Sequence, residues 1–321
     1  MCDSRGTKNS STRGGAYDPF RLRKVQTRDG SSTLYSEHFH QHYHNLSGAQ
    51  TESRHVFFEQ TGLLQAITDH RKVTVFEVGY GSGFHLLLLE VFRRMTASRS
   101  TIHYLGVEKF PVEGEVFRSM ELEQVTRALS GPAQTIPSGP GAFSDIIDTI
   151  AGFNDRQCRA DSGSTISVTL SDLPAGTQTM HTESDRKSPE SNPATGGFTR
   201  ATVYRGDFSD RKAVNILTGT KSIDFFLHDA FSPAANPDLW TVDVFSNLLA
   251  TASEEAMLGT YCSATKARAA MVLAGWHVAR AAGPPGKREM TLASPSGDAL
   301  SGFKRVNEQR LRERFQDELA S

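Results

Sequence analysis

The chain has 321 residues, of which 37% are apolar and 22% charged, and its formal net charge is −1. This composition is typical of a globular protein whose length allows one large domain or two small ones. The balance of acids and bases excludes a strongly basic nucleic-acid binder, so any such contact must come from a local patch. Three separated cysteines without a CxxC pair exclude a disulfide framework and a thiolate zinc site.

The N-terminal segment is polar and contains basic residues. Apart from Met1, residues 1–16 hold no large apolar side chain, which predicts a disordered tail and not a signal peptide. No run of 18 apolar residues is present in the sequence, so we expect no membrane span and a cytoplasmic protein. A basic cluster follows and is either a solvated surface or an arm that contacts phosphates. Its residues are Arg21, Arg23, Lys24 and Arg28.

Alternating strands and helices are predicted from residue 72 onward. The β-branched run 72–78 predicts a buried strand, followed by a helix over 84–95, a strand over 102–107 and a helix over 111–130. Because strands and helices alternate, we expect a parallel sheet with helices on both faces.

Residues 157–200 differ in composition from the segments around them. Only six of these 44 residues are Ile, Leu, Val, Met, Phe, Trp or Tyr. Such a segment has too few apolar side chains to offset the entropy cost of ordering it. The composition therefore predicts a disordered surface insertion.

The periodic pattern resumes after this segment. The predicted strands are 202–204, 223–227, 256–262, 276–281 and 289–293, and the predicted helices are 242–252 and 265–274. Gly-Pro-Pro-Gly joins the last two strands and is typical of a turn. This closing hairpin is expected to add an antiparallel edge to the sheet.

The most specific local motif is Glu77-Val-Gly79-Tyr-Gly81-Ser-Gly83, between a predicted strand and a helix. Such glycines allow positive φ and let a ligand approach the backbone. A dinucleotide fingerprint would place glycine where Phe84 stands. GxGxG after an acid is instead typical of class I S-adenosylmethionine (SAM) methyltransferases, in which the acid can contact the cationic amino-acid end of SAM. The alternative is a tight structural turn.

Two further acids follow neighbouring strands. Glu108 ends the second predicted strand, where doubly wound folds place an acid that binds ribose hydroxyls. Asp207 follows the next strand, where such enzymes place an acid near the adenine amino group. The structural alternatives are a solvated strand-end glutamate and a turn-forming aspartate.

A polar and aromatic loop begins at Asp229, after a predicted central strand. It continues through Phe231, Pro233, Asn236 and Pro237. The carboxyl ends of strands in open α/β sheets are where ligands bind. A carboxylate, an aromatic ring and two prolines suit an amine presented on a flat base, although a plain connection is the alternative.

A histidine run, HFHQHYH, places histidines at positions 38, 40, 42 and 44. These spacings could bind zinc in a helix or in a strand. Because no neighbouring acid or cysteine completes a ligand set, we expect no metal.

Several segments together resemble the methyltransferase domain of the MnmC family of tRNA wobble-uridine modification enzymes. They are 29–36 (compare DGxPTLYS), 52–57 (ETRYVF), 77–83 (ELGFGTG), 107–111 (VEKFP), 228–240 (DGFAPAKNPxMW) and 287–290 (KREM). The resemblance covers residues 28–295 apart from the expected insertion.

The resemblance implies a Rossmann-like class I methyltransferase with a mostly parallel seven-stranded sheet. The implied boundaries are a domain over 17–295 and a C-terminal helical tail over 296–321. The implied reaction is SAM-dependent N-methylation of the 5-aminomethyl group of (2-thio)uridine at the tRNA wobble position. No FAD is expected, and a separate enzyme would supply the aminomethyl intermediate.

The site residues can then be assigned roles. Asp229 would orient and deprotonate the amine, and Phe231 would stack on the uracil. The expected SAM contacts are Glu77, Gly79, Gly81, Gly83, Glu108 and Asp207. The expected substrate contacts are Tyr35, Glu52, Pro233, Asn236 and Trp240.

Three positions depart from the family pattern. His85 replaces the asparagine that is common after the glycine loop, Ala235 replaces the lysine of AKNP, and His55 replaces the tyrosine of ETRYVF. Two other functions remain open at this point. One is methylation of a small-molecule or protein amine, and the other is a non-catalytic SAM-binding protein.

Overall fold

The computed structural model describes residues 21–122, 125, 143–171, 180–182, 197–210, 213, 219 and 222–319. Most strands belong to one ten-stranded sheet, and an N-terminal segment forms a separate three-stranded sheet. Apolar side chains fill two clusters, one on each face of the large sheet.

The N-terminal sheet is antiparallel and consists of β1 (Leu22–Gln26), β2 (Ser32–Ser36) and β3 (Gln41–His42). Helix α1 (Ala49–Ser53) follows and continues directly into a π-helix over Arg54–Glu59. Helix α2 (Leu63–Thr68) then leads into the large sheet.

Five parallel strands form the centre of the large sheet. They are β4 (Lys72–Val78), β5 (Thr101–Glu108), β8 (Phe198–Arg205), β9 (Ile223–His228) and β10 (Ala252–Thr260). Their spatial order is β10-β9-β4-β5-β8. The chain moves outward from β4 in one direction and later returns to β9 on the other side. The switch point between β4 and β9 is where open α/β sheets form a ligand crevice.

Antiparallel strands extend both edges of this sheet. On one side β12 (Glu289–Ser294), β11 (His277–Ala282) and β13 (Lys304–Arg305) follow β10. On the other side β6 (Ser164–Ser171) and β7 (Met180–Thr182) follow β8. The Rossmann-like α/β class and the closing hairpin are confirmed, but the part of the chain that the structure describes forms a sheet of ten strands and not seven.

The helices cover both faces. Helices α3 (Phe84–Met95) and α5 (Ser144–Arg159) pack on one face, and α6 (Val242–Leu249) and α7 (Thr265–Leu273) pack on the other. The short α4 (Gly114–Arg118) contacts α5. None of the described helices is long and apolar enough to cross a bilayer.

The disordered insertion predicted over 157–200 is wrong for part of that range. Helix α5 continues to Arg159, and all eight residues of β6 pair with β8. The few apolar residues of β6 alternate, so that Ile166, Val168 and Leu170 all point into the core. A low apolar content therefore suffices because every apolar side chain falls on one face of the strand. Residues 172–179 and 183–196 lie outside the described residues.

The two predicted tails have different outcomes. The N-terminal tail over 1–16 lies outside the described residues. The C-terminal tail contains the expected helix, α8 (Glu308–Leu319), which packs against α7 with Phe315 buried. Because β13 joins the sheet and Leu300 is fully buried, this segment packs as part of the domain.

The position of β6 in the core makes its stability contribution testable. Leu170→Ala should lower the free energy of unfolding by about 2–5 kcal/mol, because a fully buried side chain is removed from a packed core. Thr169→Ala alters the opposite face of the same strand and should cost about 1 kcal/mol or less. Chemical denaturation followed by circular dichroism measures both. Equal losses in the two variants would show that β6 is peripheral.

Candidate active site

A cavity of about 740 Å³ opens at the carboxyl ends of β4, β5 and β9. Its size is typical of pockets for small molecules and cofactors. The loops after these strands line it, together with the segment 38–46 that contains β3 and the turn at 286–287. Glu52, the loop 206–208 after β8 and Tyr261 after β10 complete the lining. The cavity therefore lies at the switch point of the sheet and beneath the N-terminal hairpin.

The glycine loop after β4 is held open by its backbone. Gly79 and Gly81 have φ values of 84° and 60°, in the left-handed region that favours glycine. The amides of Gly79 and Tyr80 both donate to the Val107 carbonyl, at 3.2 and 3.1 Å. A Cβ on Gly81 would lie 3.2 Å from the Tyr43 ring. Gly79 and Gly81 thus leave a concave stretch of exposed backbone in the cavity wall, which we call the glycine cradle. A side chain at either position would reduce the space for a ligand.

Gly83 has a different function from the other two glycines. It precedes α3 with φ 85°, and a Cβ there would lie 2.3 Å from the Tyr80 hydroxyl oxygen. Gly83 does not line the cavity. Its part in the loop is to allow the close contact with Tyr80.

Glu77 lies at the bottom of the cavity with 1% of its surface exposed. One carboxylate oxygen lies 2.5 Å from His85 Nδ1, and the other accepts a hydrogen bond from the Tyr104 hydroxyl. Burial raises the pKa of Glu77 well above its usual range. Both oxygens are thus already engaged with internal partners.

Glu108 binds the backbone of the glycine loop. Its carboxylate accepts from the Gly81 amide at 2.6 Å and from the Phe110 amide at 2.7 Å. Burial raises the pKa of Glu108 to about 7, although these two hydrogen bonds oppose the shift. Glu108 lines the cavity and also fixes the position of Gly81.

Asp207 lies at the exposed end of the same cavity. Its carboxylate accepts from Lys109 Nζ at 2.7 Å and from the Ser209 amide at 3.0 Å. Partial burial alone would raise the pKa of Asp207, but these hydrogen bonds outweigh it and lower that pKa below its usual value. The cavity wall therefore holds an ionised acid at this end.

Asp229 lies on the other side of the glycine loop, at the end of β9. Its side chain is 11% exposed and faces the cavity, with Oδ2 3.9 Å from His85 Nδ1 and 4.0 Å from His44 Nε2. Burial raises the pKa of Asp229 well above its usual range, and the nearby Glu77 and Glu52 raise it further. A cationic ligand would favour ionisation of this carboxyl group.

The two histidines beside Asp229 are neutral. Burial lowers the pKa of both His44 and His85 to about 3. Together with Asp229 they bring three ligand-type atoms within 4.8 Å of one another. However, His85 already contacts Glu77 through Nδ1 and the Ser53 hydroxyl through Nε2, at 2.5 and 2.8 Å. We therefore assign this cluster to hydrogen bonding and propose no metal there.

Tertiary hydrogen bonds fix the loop after Asp229. Trp240 Nε1 donates to the Phe231 carbonyl at 2.8 Å, and the Tyr261 hydroxyl donates to the Ala230 carbonyl at 2.7 Å. Gln41 Nε2 donates to the Ser232 hydroxyl at 2.6 Å, which ties the loop to β3. Trp240 was predicted to contact substrate, but it is buried outside the cavity wall and positions the Phe231 backbone.

An aromatic wall closes one side of the cavity. The rings of Phe39 and Phe231 are stacked, with centroids 4.3 Å apart and planes at 25°. Tyr43 meets Phe231 edge-on at 5.1 Å, and Phe110 meets Phe39 at 5.8 Å. Phe39 and Tyr43 come from the histidine run, where the sequence analysis considered only metal binding.

A partly buried ion pair lines the cavity near Asp229. Lys287 Nζ lies 2.7 Å from Glu52 Oε1, and Glu52 Oε2 accepts from the Asn45 amide at 2.7 Å. Lys287 Nζ also lies 4.3 Å from the centroid of the Tyr261 ring. The KREM motif contained Lys287 but gave no reason to place it opposite Glu52, since the two are 235 residues apart in sequence.

The cavity brings together most of the predicted site residues. Those that line it are Glu52, Glu77, Gly79, Gly81, Glu108, Asp207, Asp229, Phe231 and Asn236. Those outside its wall are Tyr35, Gly83, Pro233 and Trp240. Tyr35 instead packs beneath Arg23, whose guanidinium carbon lies 4.7 Å from the ring centroid.

Comparisons with known proteins agree with this arrangement. Residues 180–296 match the family described as S-adenosyl-L-methionine-dependent methyltransferase. The chain is 26% identical over 261 residues to the "tRNA 5-methylaminomethyl-2-thiouridine biosynthesis bifunctional protein MnmC" of Burkholderia multivorans, a match that spans 81% of this chain and 33% of the relative. The protein of that name from Pseudomonas aeruginosa is 25% identical over 267 residues, which span 82% and 33% of the two chains.

The chain thus spans about a third of the length of the curated relatives it matches. Among solved structures, MNMC2 from Aquifex aeolicus superposes with a TM-score of 0.56 at 20% identity, covering 91% of this chain and 75% of that one. At this identity the structural likeness supports the fold alone. Together, these findings show a Rossmann-like domain that is similar to the methyltransferase part of MnmC and whose segment 180–296 matches the SAM-dependent methyltransferase family.

Proposed function

We propose that the domain methylates the amine of 5-aminomethyl-(2-thio)uridine at the wobble position of tRNA, with SAM as methyl donor. The observation that carries the proposal is the buried, cavity-facing carboxyl group of Asp229, next to a glycine cradle and close to two other buried acids. Such a site favours cationic ligands, and both a sulfonium donor and an alkylammonium substrate are cations.

The residues of the cavity fit SAM. Gly79 and Gly81 provide an open backbone cradle that a Cβ would narrow, and Glu108 faces the cavity beside them. We propose that Glu108 contacts the ribose and Asp207 the adenine side, while Gly83 acts through the shape of the turn. Glu77 completes the acidic end that receives the ammonium group. When bound, SAM supplies a methyl group on a positively charged sulfur.

Asp229 then acts on the incoming amine. A primary alkylamine is protonated at neutral pH, since its pKa lies near that of lysine, about 10.4. The Asp229 carboxylate accepts that proton or orients it, so that the nitrogen lone pair is free to form the new N–CH₃ bond as the S–CH₃ bond breaks. Because His44 and His85 are neutral, Asp229 is the acid beside them that the alkylammonium meets, and the charge of that cation favours ionisation of the Asp229 carboxyl group.

The aromatic wall gives the flat base a surface on which to pack. Trp240 donates a hydrogen bond to the Phe231 carbonyl, which fixes the backbone that carries the Phe231 ring, two residues after Asp229. We propose that the uracil stacks on this wall while its 5-aminomethyl group reaches Asp229. Methyl transfer itself uses no flavin, and a separate cytoplasmic enzyme would supply the amine on the tRNA.

The direct test of the proposed function is an in vitro assay. The purified protein, SAM and tRNA carrying 5-aminomethyl-2-thiouridine should yield the 5-methylaminomethyl nucleoside by mass spectrometry. Transfer to free alkylamines or to protein lysines, with none to tRNA, would overturn the choice of substrate. The absence of any transfer, although SAM binds, would favour a non-catalytic binding protein.

A glycine pair tests the SAM cradle. Gly81→Val should abolish measurable SAM binding, because the new side chain meets Tyr43 and fills the space that the ligand needs. Gly62→Val is the matched control, since Gly62 also has positive φ (81°) but has open space around it and lies outside the cavity wall. It should lose stability and keep SAM affinity in calorimetry. If Gly81→Val and Gly62→Val lost SAM affinity equally, the loss would come from general backbone strain and not from the cavity.

A charge-removing change tests the role of Asp229. Asp229→Asn should reduce turnover roughly 10²–10⁴-fold, the usual contribution of a positioned acid–base group, while SAM affinity stays within a few-fold. The loss should shrink at high pH, where free amine is already abundant. Asp243→Asn, an exposed acid on α6, is the control. Parallel loss of SAM affinity and activity in Asp229→Asn would make Asp229 a cofactor or structural residue.

The basic cluster at 21–28 is the candidate phosphate-contacting surface. Arg23 and Lys24 already pair with Glu37 and Glu121, at 2.7 and 2.8 Å. Within the described residues no acid pairs with Arg21 or Arg28, and both are exposed.

Replacing Arg21 and Arg28 together with glutamine should therefore raise the KM for tRNA. The double variant should also reduce the slope of log affinity against log salt by roughly 1.4–1.8, the value for two lost phosphate contacts. The double change at Arg23 and Lys24 should reduce it less. Filter binding over a salt series measures both slopes, and unchanged slopes would place the RNA surface elsewhere.

A further inference from the structure

Lys287 is a partly buried cation to which the proposed reaction assigns no role. It lies in the turn between β11 and β12, and its side chain is 32% exposed. Its ammonium group contacts the Glu52 carboxylate and the face of the Tyr261 ring, and both residues line the cavity with it. A ligand in the cavity can therefore reach both partners of this ion pair.

The strand order places Lys287 on the substrate side of Asp229. The glycine loop follows β4, Asp229 follows β9, and Tyr261 follows β10, and these three strands are consecutive neighbours. Adjacent strands lie about 4.8 Å apart, so Tyr261 and Lys287 lie beyond Asp229 as seen from the SAM cradle. The positive charge of Lys287 also acts on Asp229, whose raised pKa it partly lowers.

Lys287 is also one of few basic side chains in the cavity wall. Among the described residues of the cavity wall, the only lysine or arginine side chains are those of Lys109 and Lys287. Lys109 pairs with Asp207 at the exposed, nucleoside end. Lys287 is therefore the one lysine at the end where the reacting amine is expected.

The ammonium group retains a donor for a ligand. It has three N–H groups, of which Glu52 accepts one and the Tyr261 ring covers one direction. Glu52 is itself held by the Asn45 amide, so Lys287 is positioned before any ligand enters. A hydrogen-bond acceptor that enters from the Asp229 side can take the remaining donor.

The substrate in the proposed function carries such an acceptor. In a 5-aminomethyl uracil, the O4 carbonyl and the aminomethyl group are on adjacent ring atoms. A pocket that binds the amine through a carboxylate therefore needs a donor next to it for O4. Cytosine presents an amino group at the same position, which a lysine would repel.

We infer that Lys287 donates a hydrogen bond to the O4 carbonyl of the target uracil and thereby selects a 4-keto pyrimidine. This inference rests on the proposed function, because the base must lie beside Asp229. Lys287 is a specificity-determining residue here, and the proton transfer remains with Asp229.

The test compares two anticodon stem-loops. One carries 5-aminomethyluridine, and the other carries the same base with hydrogen in place of O4. Lys287→Met should lower kcat/KM on the first substrate about 10–100-fold, as expected for a lost hydrogen bond to a charged group. On the substrate without O4, wild type and Lys287→Met should be equal within about two-fold, because there is no bond to lose.

Three further arms complete the experiment. Lys287→Arg keeps a charged donor and should recover part of the activity on the first substrate, which also covers the case in which Lys287→Met does not fold. Lys304→Met, on the exposed edge strand β13, should leave both activities unchanged. SAM affinity, measured by calorimetry, should change less than two-fold in Lys287→Met.

Each other outcome contradicts the inference in a distinct way. Equal losses on both substrates would indicate a phosphate contact or a general effect on Asp229. A large loss of SAM affinity would indicate that Lys287 binds the methionyl carboxylate. Unchanged kinetics would leave Lys287 a structural ion pair. If the wild type methylates neither stem-loop, the proposed function itself fails, and that result does not depend on Lys287.

Discussion

The arrangement of the site depends on three carboxyl groups buried at one end of a single cavity. Glu52, Glu77 and Asp229 are all largely withdrawn from water, and such burial is costly unless each group finds a partner or takes up a proton. Glu52 finds the Lys287 ammonium, and Glu77 finds His85 and the Tyr104 hydroxyl. Asp229 has two neutral imidazoles about 4 Å away and also experiences the charge of Lys287. Among these three acids it is thus the one with no close ionic or hydrogen-bond partner within the described residues, and a cation that enters the cavity would offset the cost of its burial.

The remaining structure keeps that acid in place. Asp229 ends a central parallel strand, and its own amide donates to the Val78 carbonyl at the end of β4. The loop beyond it is fixed from three sides by Gln41, Trp240 and Tyr261. These three come from the N-terminal hairpin, the loop itself and the end of β10, so the site depends on distant parts of the sequence. Preorganisation of this kind is what in-line methyl transfer needs, because little bond chemistry is left to the protein beyond positioning.

The sequence alone predicts those elements that depend on residues close together in the chain. The strand, glycine loop and helix at 72–95 follow from a β-branched run and three glycines, and the helix bounds agree with the structure. Local patterns did not predict that β6 is a strand, because only three of its eight residues are apolar. Their alternation stabilises a strand only through pairing with β8, which is distant in sequence. Nor could local patterns pair Lys287 with Glu52, or place His44 beside Asp229, since these contacts depend on how the sheet closes. Trp240 has the polar and aromatic character of a ligand contact, yet its buried ring supports the backbone of Phe231.

The aromatic wall determines how a base can enter. Phe39 already covers Phe231 at stacking distance, so a uracil cannot lie on that same face unless the Phe39 ring turns away. This segment is restrained, because the side-chain amide of Gln41 donates to the Ser232 hydroxyl and accepts from the Ser232 backbone amide. Phe39 also contacts Phe110, with ring centroids 5.8 Å apart. Under the proposed function, a base that stacks on Phe231 would have to replace the ring contact that Phe39 makes there. A simple alkylamine has no ring with which to replace the stacking between Phe39 and Phe231, whereas a nucleobase does. The aromatic wall therefore favours a substrate whose amine is attached to a nucleobase.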